Sequence, residues 1–78
     1  MKVEIITPDK NVFAGEASAV QVPGTDGLLG ILNDHAPLVS TLKAGQVKLT
    51  VEKGEEKFFD INGGVVEVLN NKIMVLAE

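Results

Sequence analysis

The sequence predicts an all-β domain, a sandwich or barrel of short strands, and three observations carry that prediction. Turn signals recur along the whole chain, at Thr7-Pro8-Asp9, Gly15, Pro23-Gly24, Gly27 to Gly30, Asn33 to Pro37, Ala44-Gly45, Lys53-Gly54, Asn62-Gly63-Gly64 and Asn70-Asn71. Punctuation this close is the mark of a sandwich or barrel. The runs between the breaks are rich in valine, isoleucine and leucine and several alternate apolar with polar residues, the period of a half-buried strand. No stretch of a dozen residues keeps a helical period, and the most helix-like piece, Ala36–Ala44, is short and opens on Ala36-Pro37.

The elements follow in order. Lys2–Ile6 reads as a first strand, and Val12–Val22 as extended chain broken at Gly15. Leu28–Leu32 and Leu38–Leu42 read as two short pieces. The second half reads as a meander of four strands. In the first, Val47, Leu49 and Val51 alternate with Lys48, Thr50 and Glu52. Lys53-Gly54 turns the chain into Glu55–Ile61, where Phe59 and Ile61 alternate with Phe58 and Asp60. Asn62-Gly63-Gly64 leads into Val65–Leu69, and Asn70-Asn71 into Lys72–Ala77. The last of these turns is expected to be tight, because asparagine tolerates positive φ. Val65-Val66 and Ile73–Leu76 are apolar on both faces and cannot all point into one core. Either those strands are covered on both sides or one face meets a partner.

The chain has 78 residues, one domain over residues 1–78. A domain of this size buries only about 60% of the surface of its unfolded chain. There is no cysteine, so neither a disulfide nor a thiolate metal site braces it. The net charge is −4 and no arginine is present. Arginine is the residue of bidentate phosphate clamps and of guanine reading. Its absence, with an acidic balance and three phenylalanines as the only aromatics, argues against nucleic acid and against an anionic lipid surface. No run approaches the roughly 18 apolar residues of a membrane span.

The chemistry-bearing residues do not form a site. His35 is the one histidine, and Ser18, Ser40 and Asp34 supply no nucleophile elbow around it. Scattered carboxylates give no metal-ligand spacing, and Glu55-Glu56 reads as a solvated hairpin edge. The expectation is a chain without catalytic residues, cofactor or metal. Gly24, Gly27 and Gly30 fall three apart, which is neither a dinucleotide fingerprint nor a P-loop. Three glycines so close let a chain bend tightly and lie against a neighbour. Leu28 and Leu29 between them are costly to expose, so they are either tucked under the sandwich or offered to a partner. Pro23–Pro37 is therefore the expected docking segment.

That same segment carries a resemblance. Its pattern P-G-x-x-G-x-x-G-x-L-x-x-H-A-P, from Pro23 to Pro37, resembles the signature of the ε subunit of F-type ATP synthases. Ile5 to Glu16, with Phe13-Ala14-Gly15, is similar to the family's opening strand and its bend. Leu42-Lys43-Ala44-Gly45, Asn62 to Val68 and Val75 to Glu78 resemble its later stretches in order. The resemblance implies a flattened ten-stranded β-sandwich in the central rotor. It implies two partners, the γ subunit and the membrane c-ring, with proton flow coupled to ATP synthesis whose chemistry other subunits perform. It also implies a peripheral position on the cytoplasmic face of the inner (plasma) membrane, no direct lipid insertion, and a monomer when isolated.

Residue by residue, Thr7, His35 and Ser40, with Asn62 behind them, fall where the family faces γ. Asp26, Gly27, Leu28, Leu29 and Gly30 fall where it meets the c-ring. Leu28 stands where many members carry a glutamate; an apolar contact then replaces a charged one, with Asp26 as the nearby source of charge. Many members continue into a C-terminal helical hairpin that has no counterpart in residues 1–78; the expectation is either the sandwich domain cut from such a member or a naturally short member, with the second preferred. A carrier module of the biotinyl or lipoyl type is the alternative reading. Lys43 and Lys53 lack the methionine-flanked hairpin tip that it needs.

Overall fold

The computed structural model describes residues 1–78. Seven strands make one antiparallel-rich sheet that folds over on itself: β1 (Lys2–Ile6), β2 (Asn11–Glu16), β3 (Ala19–Gly24), β4 (Gly27–Leu32), β5 (Leu38–Thr50), β6 (Glu56–Leu69) and β7 (Lys72–Ala77). The spatial order is β2-β1-β7-β6-β5-β3-β4. Only β1 and β7 run parallel. A single aliphatic core draws on both halves, with Val3, Ile5, Val66, Val68, Ile73 and Val75 facing Val20, Val22, Ile31, Val47 and Leu49. No polar or charged side chain is buried in it.

The all-β expectation holds, and the strand count is seven rather than ten. Two expected breaks that do not form account for two of the three missing strands. Ala44-Gly45 and Asn62-Gly63-Gly64 do not end strands. β5 and β6 run straight through them as strands of 13 and 14 residues. They stay in one unbroken antiparallel register from Leu38↔Val68 to Thr50↔Glu56. What changes at these points is the face. In β6 the inward positions move from Ile61 and Gly63 to Val66 and Val68. In β5 they move from Leu42 to Val47 and Leu49. Gly63 and Gly64 adopt φ of 138° and 140°, a mirror-image extended geometry open to glycine, and that reverses the alternation in mid-strand. A side chain at Gly64 would meet the carbonyl oxygen of Leu76.

The expected break at Gly15 falls two residues later, at Ala17-Ser18. β2 continues past Gly15, which pairs with Val3 of β1 as Glu16 does with Lys2; the Phe13 ring lies over Gly15, 3.1 Å from where a Cβ would stand. Phe13 in turn packs on Phe59, with ring centroids 5.5 Å apart. The Asn70-Asn71 turn forms as expected, with φ of 51° and 59°. Lys53-Gly54 also turns, as part of one 3₁₀ turn at Glu52–Gly54.

β3 shows how proline shapes the sheet. Its register with β5 jumps between Gln21↔Lys48 and Gly24↔Leu42. Pro23 sits in the gap; having no N–H, it has nothing to donate to β5 there. Gly45 lies beneath it, its Cβ position 2.9 Å from the Pro23 ring. The β3–β4 hairpin thereby bends over the first half of β5, which sets the position of its tip.

Candidate docking surface

The β3–β4 hairpin closes on two residues, Thr25 and Asp26, between the paired Gly24 and Gly27. The tip is tied down to β5. Thr25 N–H donates to the Thr41 carbonyl at 3.0 Å, and the two threonine hydroxyls lie 2.8 Å apart. Gly24 cannot carry a side chain, because a Cβ would stand 2.6 Å from the Gly27 carbonyl oxygen. A shallow depression there is lined by Asp26, Gly27, Leu28, Leu29, Ser40 and Thr41 among others. Leu28 and Leu29 part company: Leu29 packs against the core, whereas Leu28 is 67% exposed. Asp26, Gly27, Leu28 and Leu29 lie at the tip with Leu28 exposed, whereas Gly30 lies farther along β4, opposite Gln21.

The other four expected contact residues are spread out. Thr7 closes the β1–β2 turn, its hydroxyl donating to the Lys10 carbonyl at 3.2 Å and accepting from the Lys10 N–H at 3.3 Å. Asn62 is exposed in β6 beside Gly63, which accepts from the Glu78 N–H. These two lie at the same end of the sandwich. Ser40 faces the hairpin tip. His35 is at the far end, exposed on the β4–β5 loop, with Nδ1 2.7 Å from the Ala36 carbonyl. Its loop is anchored by the Asp34 N–H, which donates to Asn71 Oδ1 at 2.8 Å. Asn33 Oδ1 accepts from the Met1 amino group at 2.8 Å. From the Asn71 turn to Leu76 the sheet runs about 17 Å, at ~3.3 Å per residue, so His35 and Thr7 do not share a cluster.

A surface lies between them that residue-by-residue reading missed. On the outer face, Thr41, Val65, Leu76 and Ile6 stand side by side on β5, β6, β7 and β1. The next row holds Val39, Glu67, Met74 and Glu4. Val39 is 68% and Leu76 47% exposed. Glu4 and Lys72 pair at 3.2 Å on its border. The double-faced strands thus resolve: Val66, Ile73 and Val75 go inward, while Val65, Met74 and Leu76 face out. Val39 had a signal in the adjacent Leu38-Val39 pair, but its face becomes readable only with the reversal in β5 known. No group of three His, Cys, Asp or Glu side chains converges on one point.

Comparison with known proteins fits this architecture. The family described as ATP synthase, Delta/Epsilon chain, beta-sandwich domain matches residues 1–78. The ATP synthase epsilon chain of Chlorobium limicola is 46% identical over 77 residues, which span 99% of this chain and 88% of that one. That of Dichelobacter nodosus is 43% identical over 77 residues, and this chain spans 54% of its length. A chain of the Euglena gracilis mitochondrial ATP synthase shares the fold, with a TM-score of 0.90 at 21% identity over 96% of this chain and 48% of that chain. A chain of the Tetrahymena thermophila mitochondrial ATP synthase central stalk and c-ring does so with a TM-score of 0.82 at 23% identity, over 99% of this chain and 62% of that chain. The chain belongs to the ATP synthase delta/epsilon family and matches its β-sandwich domain from the first residue to the last.

Proposed function

We propose that this chain is a non-catalytic rotor element of an F-type ATP synthase, joining the γ subunit to the c-ring so that proton flow drives ATP synthesis in other subunits. The observation that carries this is the family match over residues 1–78, joined to 46% identity with an ATP synthase epsilon chain. Its place is on the F1 part, peripheral to the membrane, on the cytoplasmic face. No helix of the chain is long and apolar enough to cross a membrane.

The two surfaces fit two partners. The end of the hairpin from Asp26 to Gly30 is narrow, and such a wedge suits the polar loops of a ring. There Leu28 supplies an apolar contact and Asp26 a charge. The outer face of β5, β6, β7 and β1 is broad and carries the apolar row Val65, Leu76 and Ile6. It connects Thr7 and Asn62 at one end with His35 at the other, so a γ subunit laid along it would reach all three. Ser40, opposite the inward Val66, lies on the other face of β5 from that row and lines the depression beside the tip. The test is co-elution of the purified chain with a γ–c-ring preparation. Stoichiometric binding with no ATP hydrolysis by the chain alone is expected. A folded chain that fails to bind would overturn the proposal.

A further inference from the structure

β4 is an edge strand that lacks the usual protection. Its far side pairs with nothing in the fold order β2-β1-β7-β6-β5-β3-β4. Natural edges are blunted by lysine, proline, a bulge or a cover. Gly27–Leu32 reads Gly-Leu-Leu-Gly-Ile-Leu, with no charge and no proline, and its register with β3 is unbroken from Ala19↔Leu32 to Gly24↔Gly27. The other edge, β2, ends on Glu16 and has a register irregularity between Ile5 and Ile6 of its partner β1.

The unpaired groups fall in a regular phase. A two-residue turn is closed by a hydrogen-bonded pair, here Gly24 and Gly27. Alternation along the ladder makes Val22/Leu29 and Val20/Ile31 the next such pairs. Leu28, Gly30 and Leu32 then direct their N–H and C=O groups away from β3, and of these the Leu32 carbonyl accepts from the His35 N–H at 3.2 Å. The outer side chains of these three residues are leucine, nothing, leucine. Leu28 is 67% and Leu32 64% exposed. Around Gly30 a Cβ would meet no atom within 4 Å, and a depression of about 330 Å³ opens over Gly30, Gln21 and Lys48.

This edge is complementary to itself. Turned about Gly30, residue 28 falls opposite residue 32 of a second copy, and Gly30 opposite Gly30. We infer that two copies of this chain pair antiparallel through β4, with Gly30 on the two-fold axis and Leu28 of each copy against Leu32 of the other. Gly30 then exchanges both backbone bonds with its counterpart, and the Leu32 N–H of each copy donates to the Leu28 carbonyl of the other, as an isologous interface requires. The net charge of −4 per chain opposes association, but none of it lies on this edge. One six-residue strand, about 20 Å long, buries less than the ~1,200 Å² of a stable interface, so the dimer is weak, with Kd on the order of 100 µM to 1 mM. At dilute concentrations the chain is a monomer. If the hairpin tip meets the c-ring as proposed above, self-pairing and rotor docking compete for Leu28 and Gly30, so the dimer holds the chain out of the rotor.

Sedimentation velocity on the isolated chain from about 10 µM to about 1 mM tests the pairing. A sedimentation coefficient that rises with concentration is expected, and Leu32→Lys, at an exposed position outside the tip, should abolish the rise. A second readout uses the absence of cysteine in the chain. Cα atoms of a hydrogen-bonded antiparallel pair lie ~5.5 Å apart, within disulfide reach. Gly30→Cys should therefore cross-link to a dimer in oxidised glutathione, and Glu55→Cys, on a remote exposed turn, should not. A wild-type chain that stays monomeric across the range, a Leu32→Lys variant that associates equally, or equal cross-linking of both cysteine variants would overturn the inference. The rotor reading is tested separately by binding to the γ–c-ring preparation, so either can fail alone.

Discussion

Glycine does opposite work in two parts of this molecule. At the reversal in β6 it is required by the fold: Gly64 has φ of 140° and a Cβ there would run into the Leu76 backbone. Gly45 is similarly confined beneath Pro23. Along β4, the outer strand of the β3–β4 hairpin, the space is empty. Neither Gly27 nor Gly30 has any atom within 4 Å of a Cβ position. The interior glycines let the sheet fold over itself. Gly30 is not needed for that, and what its bareness provides is close access to the backbone beside two exposed residues, Leu28 and Leu32.

Substitutions can break this contrast in order of size. Gly64→Ala combines a crowded site with a φ that side chains avoid, each costing about 1–3 kcal/mol. A domain of this size has about 0.05–0.15 kcal/mol of stability per residue, or ~4–12 kcal/mol in all, so a loss of about 2–6 kcal/mol should give the lowest urea midpoint of the three glycine variants, read by circular dichroism. Gly27→Ala meets only the backbone term, φ of 139°. It should lose about 1–2 kcal/mol in urea titration and stay folded. Gly30→Ala meets neither and should leave the urea midpoint unchanged, within about 0.5 kcal/mol. A large loss at Gly30 would show that the hairpin is held by packing after all.

The outer face gives a parallel test. Leu76→Asp replaces a half-exposed residue between Val65 and Ile6, and Val75→Asp its fully buried neighbour. The second buries an unpaired carboxylate and should prevent folding. The first should change stability by about 1 kcal/mol at most while weakening γ binding, as read by titration calorimetry. Equal damage from both would mean that the row belongs to the core.

Much of this was legible in the sequence. The Asn70-Asn71 turn, the Lys53-Gly54 turn and the alternation at Val47–Val51 all announce themselves locally, through φ preferences and period. The family pattern from Pro23 to Pro37 is likewise a matter of order and spacing. What local reading could not supply was continuity. Gly63-Gly64 looks like a turn because glycine usually marks one, and only the partner strand β5, matching residue for residue, shows a strand that changes face instead. The apolar row is hidden for the same reason, since Ile6, Val65 and Leu76 come from three distant segments and meet only through register. Leu28 and Leu29 are indistinguishable as neighbours in sequence, and pairing with β3 decides which one faces the core.

The central claim is that the hairpin tip serves a partner rather than the fold. The most direct measurement pairs thermal melting with rotor binding for Leu28→Asp. A melting temperature within about 2 °C of the parent chain and lost co-elution with the γ–c-ring preparation are expected. A melting temperature that collapses, or unchanged melting with unchanged binding, would contradict it.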